Sequence, residues 1–291
     1  MLKPLLLVAI AMVAFAANSL LCRMALAHTS IDPASFTAVR LSSGACALLF
    51  LSFVLKHRVL TTGPYKNLWQ GLKNNANLLG GLTLFLYALC FSYAYVSMST
   101  GTGALLLFGA VQLTMISFGL ASGERFKFLQ WLGFILAFAG LVILLLPSAS
   151  APPLLAGVIM VAAGMSWGVY SLLGKKSSSA LLATSGNFVY ATVLCFVLGV
   201  VVHFMIGFNL VLDTKGVLYA IASGVVASGC GYAIWYSALP LIKSTTAATV
   251  QLSVPVLATL MGWAVLGEQL SLQITIASVM TLGGIYLVIK N

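Results

Sequence analysis

The chain has 291 residues, of which 61% are apolar and only 6% are charged, whereas a soluble domain averages about 25% charged residues. This composition excludes a soluble globular protein. A net charge of +10 would point to nucleic acid as the partner of a soluble protein. In a membrane protein it reports on orientation instead, so no nucleic-acid partner is expected.

Ten segments are long and apolar enough to cross a bilayer, since a hydrocarbon layer about 30 Å thick requires roughly 20 residues of helix. In chain order they are 4–26, 33–55, 78–97, 100–122, 127–147, 154–174, 181–207, 216–237, 244–266 and 270–289. The first resembles a signal peptide, but it has a counterpart in the second half and is expected to be retained. The sequence therefore predicts an all-α integral membrane protein with ten transmembrane helices.

Basic residues are distributed unevenly between the predicted loops. With the N-terminus in the cytoplasm, every Lys and Arg falls on the inner side except Arg23 and Lys215, which fall outside, and Arg40, which lies within a span. This asymmetry predicts that both termini are cytoplasmic. The short termini favour a bacterial inner membrane.

The two halves of the chain resemble each other. A shift of 144 residues places "AYVSMSTGTGALLLFG" on "ALPLIKSTTAATVQLS" and aligns the Gly123-Glu124 step with Gly267-Glu268. The sequence thus predicts two repeats, 1–148 and 152–291, of five spans each. An odd number of spans inverts the second repeat, an arrangement typical of secondary transporters whose substrate lies between the halves.

One stretch resembles a known family. "SALPLIKSTTAATVQLSVPVLATLMGWAVLGEQLSLQ", followed by "TLGGIYLVI", is similar to the second EamA repeat of the drug/metabolite transporter superfamily, although Val111 replaces the proline that is usual in the first repeat. The resemblance implies a ten-helix transporter of small metabolites, often an exporter of amino acids or related compounds. It also implies a substrate path lined by spans 1, 3, 4, 6, 8 and 9, with spans 5 and 10 at the periphery.

Arg40 is a charged residue well inside a span, and an intramembrane charge suggests a function. A guanidinium suits a carboxylate or a phosphate. The alternative is that Arg40 extends to the membrane surface or bonds carbonyls at the helix end.

Other candidates for the substrate path are aromatic or amide side chains within the spans, for which helix packing, lipid contact and interhelical hydrogen bonds are the alternatives. They are Asn18, Tyr87, Phe91, Gln112, Trp167, Tyr170, Trp235, Tyr236 and Gln251. Pro255 has no N–H and is expected to kink its helix one turn after Gln251.

Glu124 and Glu268 each follow a glycine that can end a helix and stand before the next helix. A carboxylate there can bond free N–H groups, so we expect both residues to cap the helices that follow them. Gating or proton coupling is the alternative. By inversion, Glu124 is expected at the inner surface and Glu268 at the outer.

The sequence contains no HExxH motif, no phosphate-binding glycine loop and no paired intramembrane carboxylates. We therefore expect no enzymatic activity, cofactor or metal, and facilitated diffusion or exchange becomes a candidate mechanism. The sequence favours a carrier that moves a small organic molecule through a lipid bilayer by alternating access. A nucleotide-sugar or lipid-precursor transporter, a membrane enzyme and a scaffold are the alternatives, and a homodimer is left open.

Overall fold

The computed structural model describes residues 2–55, 66–123, 125–146, 151–174, 179–207, 210–238 and 250–290. These residues form helices and contain no β-strand. The helices are α1 (Leu2–His28), α2 (Pro33–Val54), α3 (Leu68–Asn75), α4 (Leu78–Tyr95), α5 (Thr100–Ala121), α6 (Phe128–Leu145), α7 (Leu154–Gly174), α8 (Ala180–Ile206), α9 (Thr214–Ala222), a π-helical segment (Ser223–Cys230), α10 (Gly231–Ala238), α11 (Ser253–Leu266) and α12 (Leu272–Lys290).

Eight of the predicted spans are long and apolar enough over the described residues to cross a membrane. The eighth is continuous from α9 through the π-helical segment into α10. The two remaining spans appear as α11 and α12, which are apolar but shorter in the described part. The prediction of an all-α membrane protein is confirmed.

Local sequence signals set several helix ends. Asp32 caps α2 by accepting hydrogen bonds from the N–H groups of Ala34 and Ser35, and Pro33 occupies the first turn, where no N–H partner is needed. At the other ends of two helices, Gly123 and Gly267 have φ angles of +94° and +65°. The Gly-Glu steps of both repeats therefore end α5 and α11 in the left-handed region that favours glycine.

Large apolar side chains cover the outside of the bundle. Phe50, Phe128 and Phe204 are 69%, 81% and 82% exposed, which would be unfavourable in water but is suited to lipid. A wide apolar groove of about 610 Å³ runs along α8 and includes Tyr93 and Phe196. This surface faces the hydrocarbon of the bilayer.

The helices α6 and α12 form a close pair at the edge of the bundle. A Cβ atom on Gly284 would lie 2.5 Å from the Ala137 nitrogen and the Gly133 oxygen, so the two backbones are nearly in contact. Small residues allow this approach where lipid provides no hydrophobic drive for association. This pair corresponds to spans 5 and 10, which the resemblance places at the periphery.

Two spans of the second repeat depart from α-helical geometry. Leu252 is in a turn conformation just before α11, and Pro255 has no N–H to bond the carbonyl four residues earlier. The π-helical segment interrupts the eighth span, and its Gly224 lies against the backbone of α2 at Arg40 and Gly44. Such π-helical stretches occur often at functional sites.

Candidate functional site

A cavity lies in the centre of the bundle between the two halves of the chain. Its wall is formed by Phe15, Asn18, Ser19, Tyr87, Phe91, Leu107, Phe108, Trp167, Ala227, Ser228, Tyr232 and Gln251. These residues come from α1, α4, α5, α7, the π-helical segment, α10 and the residues before α11, which belong to the six spans that the resemblance implies. The centre of a water molecule can reach only about 20 Å³ of the cavity, so this conformation is nearly closed.

Aromatic rings form most of the wall. Trp167 stacks on Tyr232 with ring centroids 5.2 Å apart and lies 4.8 Å from the ring of Tyr87. The Phe91 ring is 5.4 Å from Tyr87, and the Phe15 ring is 5.7 Å from Tyr232. These five rings come from both halves of the chain and would present their faces and edges to a flat or aliphatic solute.

A polar network connects the cavity wall to the helices behind it. Asn18 donates a hydrogen bond to the Tyr87 hydroxyl over 3.4 Å and accepts one from the Ser223 hydroxyl over 2.6 Å. The Tyr87 hydroxyl also accepts a hydrogen bond from Nη2 of Arg40 over 3.1 Å. Asn18, α2, α4 and the π-helical segment are therefore linked by one chain of contacts.

Arg40 is only 2% exposed. Its guanidinium lies 5.3 Å from the ring centroid of Tyr87 and 4.9 Å from that of Phe91, two rings that line the cavity. Neither Nε nor Nη1 has a hydrogen-bond partner within the described part of the chain. Arg40 thus lies behind the cavity wall. Its buried guanidinium donates one hydrogen bond, to Tyr87, and lies against two aromatic rings.

Four buried side-chain polar atoms of the described residues have no hydrogen-bond partner. Two are Nε and Nη1 of Arg40, and a third is Oγ of Ser228, which lines the cavity. The fourth belongs to Thr281, which lies against Gly140 in the α6–α12 contact. Buried polar atoms are usually satisfied, and three of these four exceptions lie in the cavity wall or directly behind it.

The structure distributes the residues predicted for the substrate path in two groups. Asn18, Tyr87, Phe91, Trp167 and Gln251 line the cavity. The remaining candidates do not belong to the described cavity wall.

Arg40 contacts the wall from behind, and Gln112 and Tyr170 are buried. The Tyr170 ring is 5.4 Å from that of Trp167, so it supports a ring of the wall. Trp235 packs against Phe15 with centroids 6.1 Å apart. The side chain of Tyr236 lies outside the described part of the chain.

Sequence analysis missed three residues of the wall for which a signal was present. Phe15 precedes Asn18 by three residues, and Tyr232 precedes Trp235 by three, spacings that place each pair on one helix face. Ser228 precedes Tyr232 by four residues. Serine is common in membrane helices, so Ser228 by itself is a weak signal.

A second group of contacts lies at the end of the bundle where α1 ends and α5 begins, which we call the Glu268 end. The Glu268 carboxylate accepts a hydrogen bond from the Thr100 N–H over 2.8 Å and from the Thr100 hydroxyl over 3.1 Å. Arg23 lies 3.7 Å from the same carboxylate and donates to the carbonyls of Tyr95 and Val96. Glu268 thus stabilises the start of α5, while Arg23 stabilises the end of α4.

The Glu268 contact differs from the expected one. Glu268 was predicted to cap the helix that follows it, but α12 begins only at Leu272, and the carboxylate instead caps α5 in the other half of the chain. The glycine before it ends α11 with a left-handed turn that directs the carboxylate back toward Thr100. Glu124 lies outside the described residues, so its predicted capping role stays a prediction.

The model of the EamA-like transporter family matches the chain twice, over residues 2–146 and 154–290. An uncharacterized protein of Pseudomonas aeruginosa is 48% identical over 287 residues, which cover 99% of this chain and 94% of the relative. An uncharacterized transporter of Archaeoglobus fulgidus is 26% identical over 98% of this chain and 96% of its own length. A protein of known crystal structure shares the fold with a TM-score of 0.61 at 18% identity, over 96% of both chains. The chain is a multi-pass membrane protein and belongs to the EamA-like transporter family.

Proposed function

We propose that the protein is a carrier that moves a small organic metabolite by alternating access through the central cavity, with export of amino acids or related compounds as the expected task. The observation that supports this most is the position of the cavity. It lies between the two halves, is lined by residues of both, and combines aromatic rings with a few polar groups. Such a lining is typical of a binding site for a small molecule.

The small volume of the cavity supports an exchange between conformations. About 20 Å³ for the centre of a water molecule holds little more than one or two waters, so an organic solute requires the halves to separate. We propose that the two family matches correspond to the repeats 1–148 and 152–291 and that these repeats move relative to each other.

The Glu268 end is our candidate for one of the two gates. Glu268 of the second half bonds Thr100 and approaches Arg23 of the first half, so these contacts must break if the halves separate there. The distribution of basic residues predicts that this end faces outward, with both termini in the cytoplasm of a bacterial cell. The contacts then close the outer side in this conformation.

Other classes of function are less well supported. A nucleotide sugar or a lipid-linked precursor carries phosphate groups, whereas Arg40 is the basic residue beside the cavity within the described residues. A membrane enzyme needs a reactive group, and the wall offers aromatic rings, amides and hydroxyls. A scaffold needs no cavity. The cavity is enclosed by one chain, so the proposed carrier does not require a homodimer.

We propose that transport occurs by facilitated diffusion or exchange, without coupling to an ion gradient. The described residues that line the cavity include no carboxylate, and Asp32, Asp213 and Glu268 bond backbone N–H groups at helix starts. A proton relay through the cavity would need a titratable group of another kind. The gradient of the solute itself then drives transport.

The test uses the purified protein in liposomes and measures counterflow of labelled amino acids, carboxylic acids and nucleosides. Ala227→Trp would fill the cavity, since Ala227 is 2% exposed and lines it. Val226→Trp is the matched control, because Val226 is 59% exposed on the lipid-facing side of the same segment. We expect counterflow that Ala227→Trp abolishes and Val226→Trp retains. The proposal would be contradicted if both variants retained counterflow. It would also be contradicted if the unmodified protein showed no counterflow with any of these solutes.

A further inference from the structure

We propose that the cavity selects solutes that carry a single carboxylate, which Arg40 binds, while the Ser228 hydroxyl binds a second polar group and the aromatic rings hold the apolar body. This inference rests on the proposed carrier function and specifies its substrate class. Its evidence is the unsatisfied polar atoms at the cavity rather than the fold.

The hydrogen-bonding capacity of Arg40 is mostly unused. A guanidinium has five N–H donors, and the three on Nε and Nη1 have no partner among the described residues. Arg40 is only 2% exposed, so bulk water does not reach these donors. A buried donor without a partner is unfavourable, and more so when it is charged, so an acceptor that binds here removes this cost.

Arg40 also lacks a counter-ion among the described residues. The sequence has four acidic residues, and three of them are engaged at helix starts. Asp32 bonds the first turn of α2, Asp213 bonds Gly216, and Glu268 bonds Thr100. The fourth, Glu124, follows the end of α5 in the sequence, while Arg40 is the eighth residue of α2 and contacts rings near the cavity centre. The solute is therefore the natural source of the compensating charge.

The charge of the site favours a carboxylate over a phosphate. One guanidinium carries a single positive charge, and one carboxylate neutralises it, whereas a phosphate monoester carries about −1.5 to −2 at neutral pH. The excess charge would be buried among aromatic rings without a partner, which is costly. A singly charged acid leaves no net charge in the cavity.

The path from the cavity to Arg40 is short. The Tyr87 hydroxyl accepts from Arg40 on one side and from Asn18, a residue of the cavity wall, on the other. The guanidinium rests against the rings of Tyr87 and Phe91, both of which line the cavity. Movement of the Tyr87 side chain, as the halves separate, would open the guanidinium to the carboxylate of a solute.

Ser228 supplies a second anchor on the opposite half of the chain. Its hydroxyl is buried, lines the cavity and has no hydrogen-bond partner among the residues that the structure describes. Arg40 belongs to the first half and Ser228 to the second, so a solute that reaches both would link the halves. The rings of Trp167 and Tyr232, which stack at 5.2 Å and line the same cavity, would pack on the apolar part of the solute.

The experiment compares two acids with their primary amides, which have the same shape and no charge: 3-phenylpropanoate with 3-phenylpropanamide, and hexanoate with hexanamide. Binding to the purified protein at neutral pH is measured by the increase in melting temperature and by tryptophan quenching. Charged hydrogen bonds of about 1.5–3 kcal/mol correspond to a preference of about 10- to 100-fold for the acid. We expect Arg40→Gln to abolish this preference and still bind the amide.

Arg23→Gln is the matched control, because Arg23 lies at the Glu268 end and bonds carbonyls of Tyr95 and Val96. It should retain the preference. An unchanged preference in Arg40→Gln would overturn the assignment. If Arg40→Gln does not fold, the binding of the four compounds to the wild-type protein tests the proposal. Equal binding of acids and amides, or binding of neither, would contradict it. Counterflow of other solutes that Ala227→Trp blocks would leave the carrier function intact in each of these cases.

Discussion

Replacement of Glu268 by glutamine tests whether the Glu268 end acts as a gate. The carboxylate receives an N–H at 2.8 Å and a hydroxyl at 3.1 Å from Thr100 and lies 3.7 Å from Nε of Arg23. Glutamine retains one acceptor oxygen but removes the charge. The closed state then loses part of a charged hydrogen bond and the interaction of the negative charge with the start of α5. We expect this to destabilise the closed state by about 1.4 kcal/mol.

This energy should shift the equilibrium between the closed and open states about tenfold toward the state that is open at the Glu268 end. The assay uses a cysteine-free protein in which Ser228→Cys places one thiol in the cavity. A membrane-impermeant maleimide is added from the side that the Glu268 end faces. We expect labelling to be about tenfold faster in the Glu268→Gln background than in the unmodified one.

Asp213→Asn provides the control. Asp213 also caps a helix, through the N–H of Gly216, but this contact lies within the second half and does not link it to the first. It should lower the melting temperature without a change in labelling. If Glu268→Gln labels no faster than Asp213→Asn, the Glu268 contact is a helix cap and the gating argument is wrong.

Three further predictions concern the gate, the helix packing and the cavity wall. In the same maleimide assay, Gly262→Ala should speed the labelling of the cavity thiol as much as Glu268→Gln does, because its methyl group would collide with the Glu268 carboxylate. Gly284→Ala should lower the melting temperature by several degrees in a thermal denaturation experiment, since its Cβ would lie 2.5 Å from backbone atoms of α6, whereas Gly283→Ala, which meets nothing within 4 Å, should not. Trp167→Phe should remove the solute-induced quenching of tryptophan fluorescence, whereas Trp131→Phe, at a ring 46% exposed on α6, should retain it. If the Gly283 or Trp131 variant showed the effect expected of its Gly284 or Trp167 partner, or the partner showed none, the packing described for that contact would be contradicted.

The helices could be predicted from the sequence because apolar length alone decides which segments cross a bilayer. Several of their ends were also predictable, since Asp32-Pro33 is a start signal for α2 and the glycines at 123 and 267 are stop signals. The π-helical segment could not be predicted. Eight residues are too few for the spacing of apolar side chains to distinguish a π-helix from an α-helix.

The site was predicted in part. Tyr87 and Trp167 could be selected because they are aromatic residues in spans that the resemblance assigns to the substrate path. The partner of Glu268 could not be foreseen, because Thr100 is 168 residues away in the sequence and only the packing of the two halves brings them together. The unsatisfied donors of Arg40 were equally out of reach, since a missing partner is a property of the assembled interior.

The helix caps also place all three described carboxylates on one face of the membrane. Asp32, Asp213 and Glu268 lie before α2, before α9 and after α11, and the connectivity of the spans brings these positions to the same end. The negative charge at these described helix ends is therefore gathered on one side of the bundle, away from the residues that line the cavity.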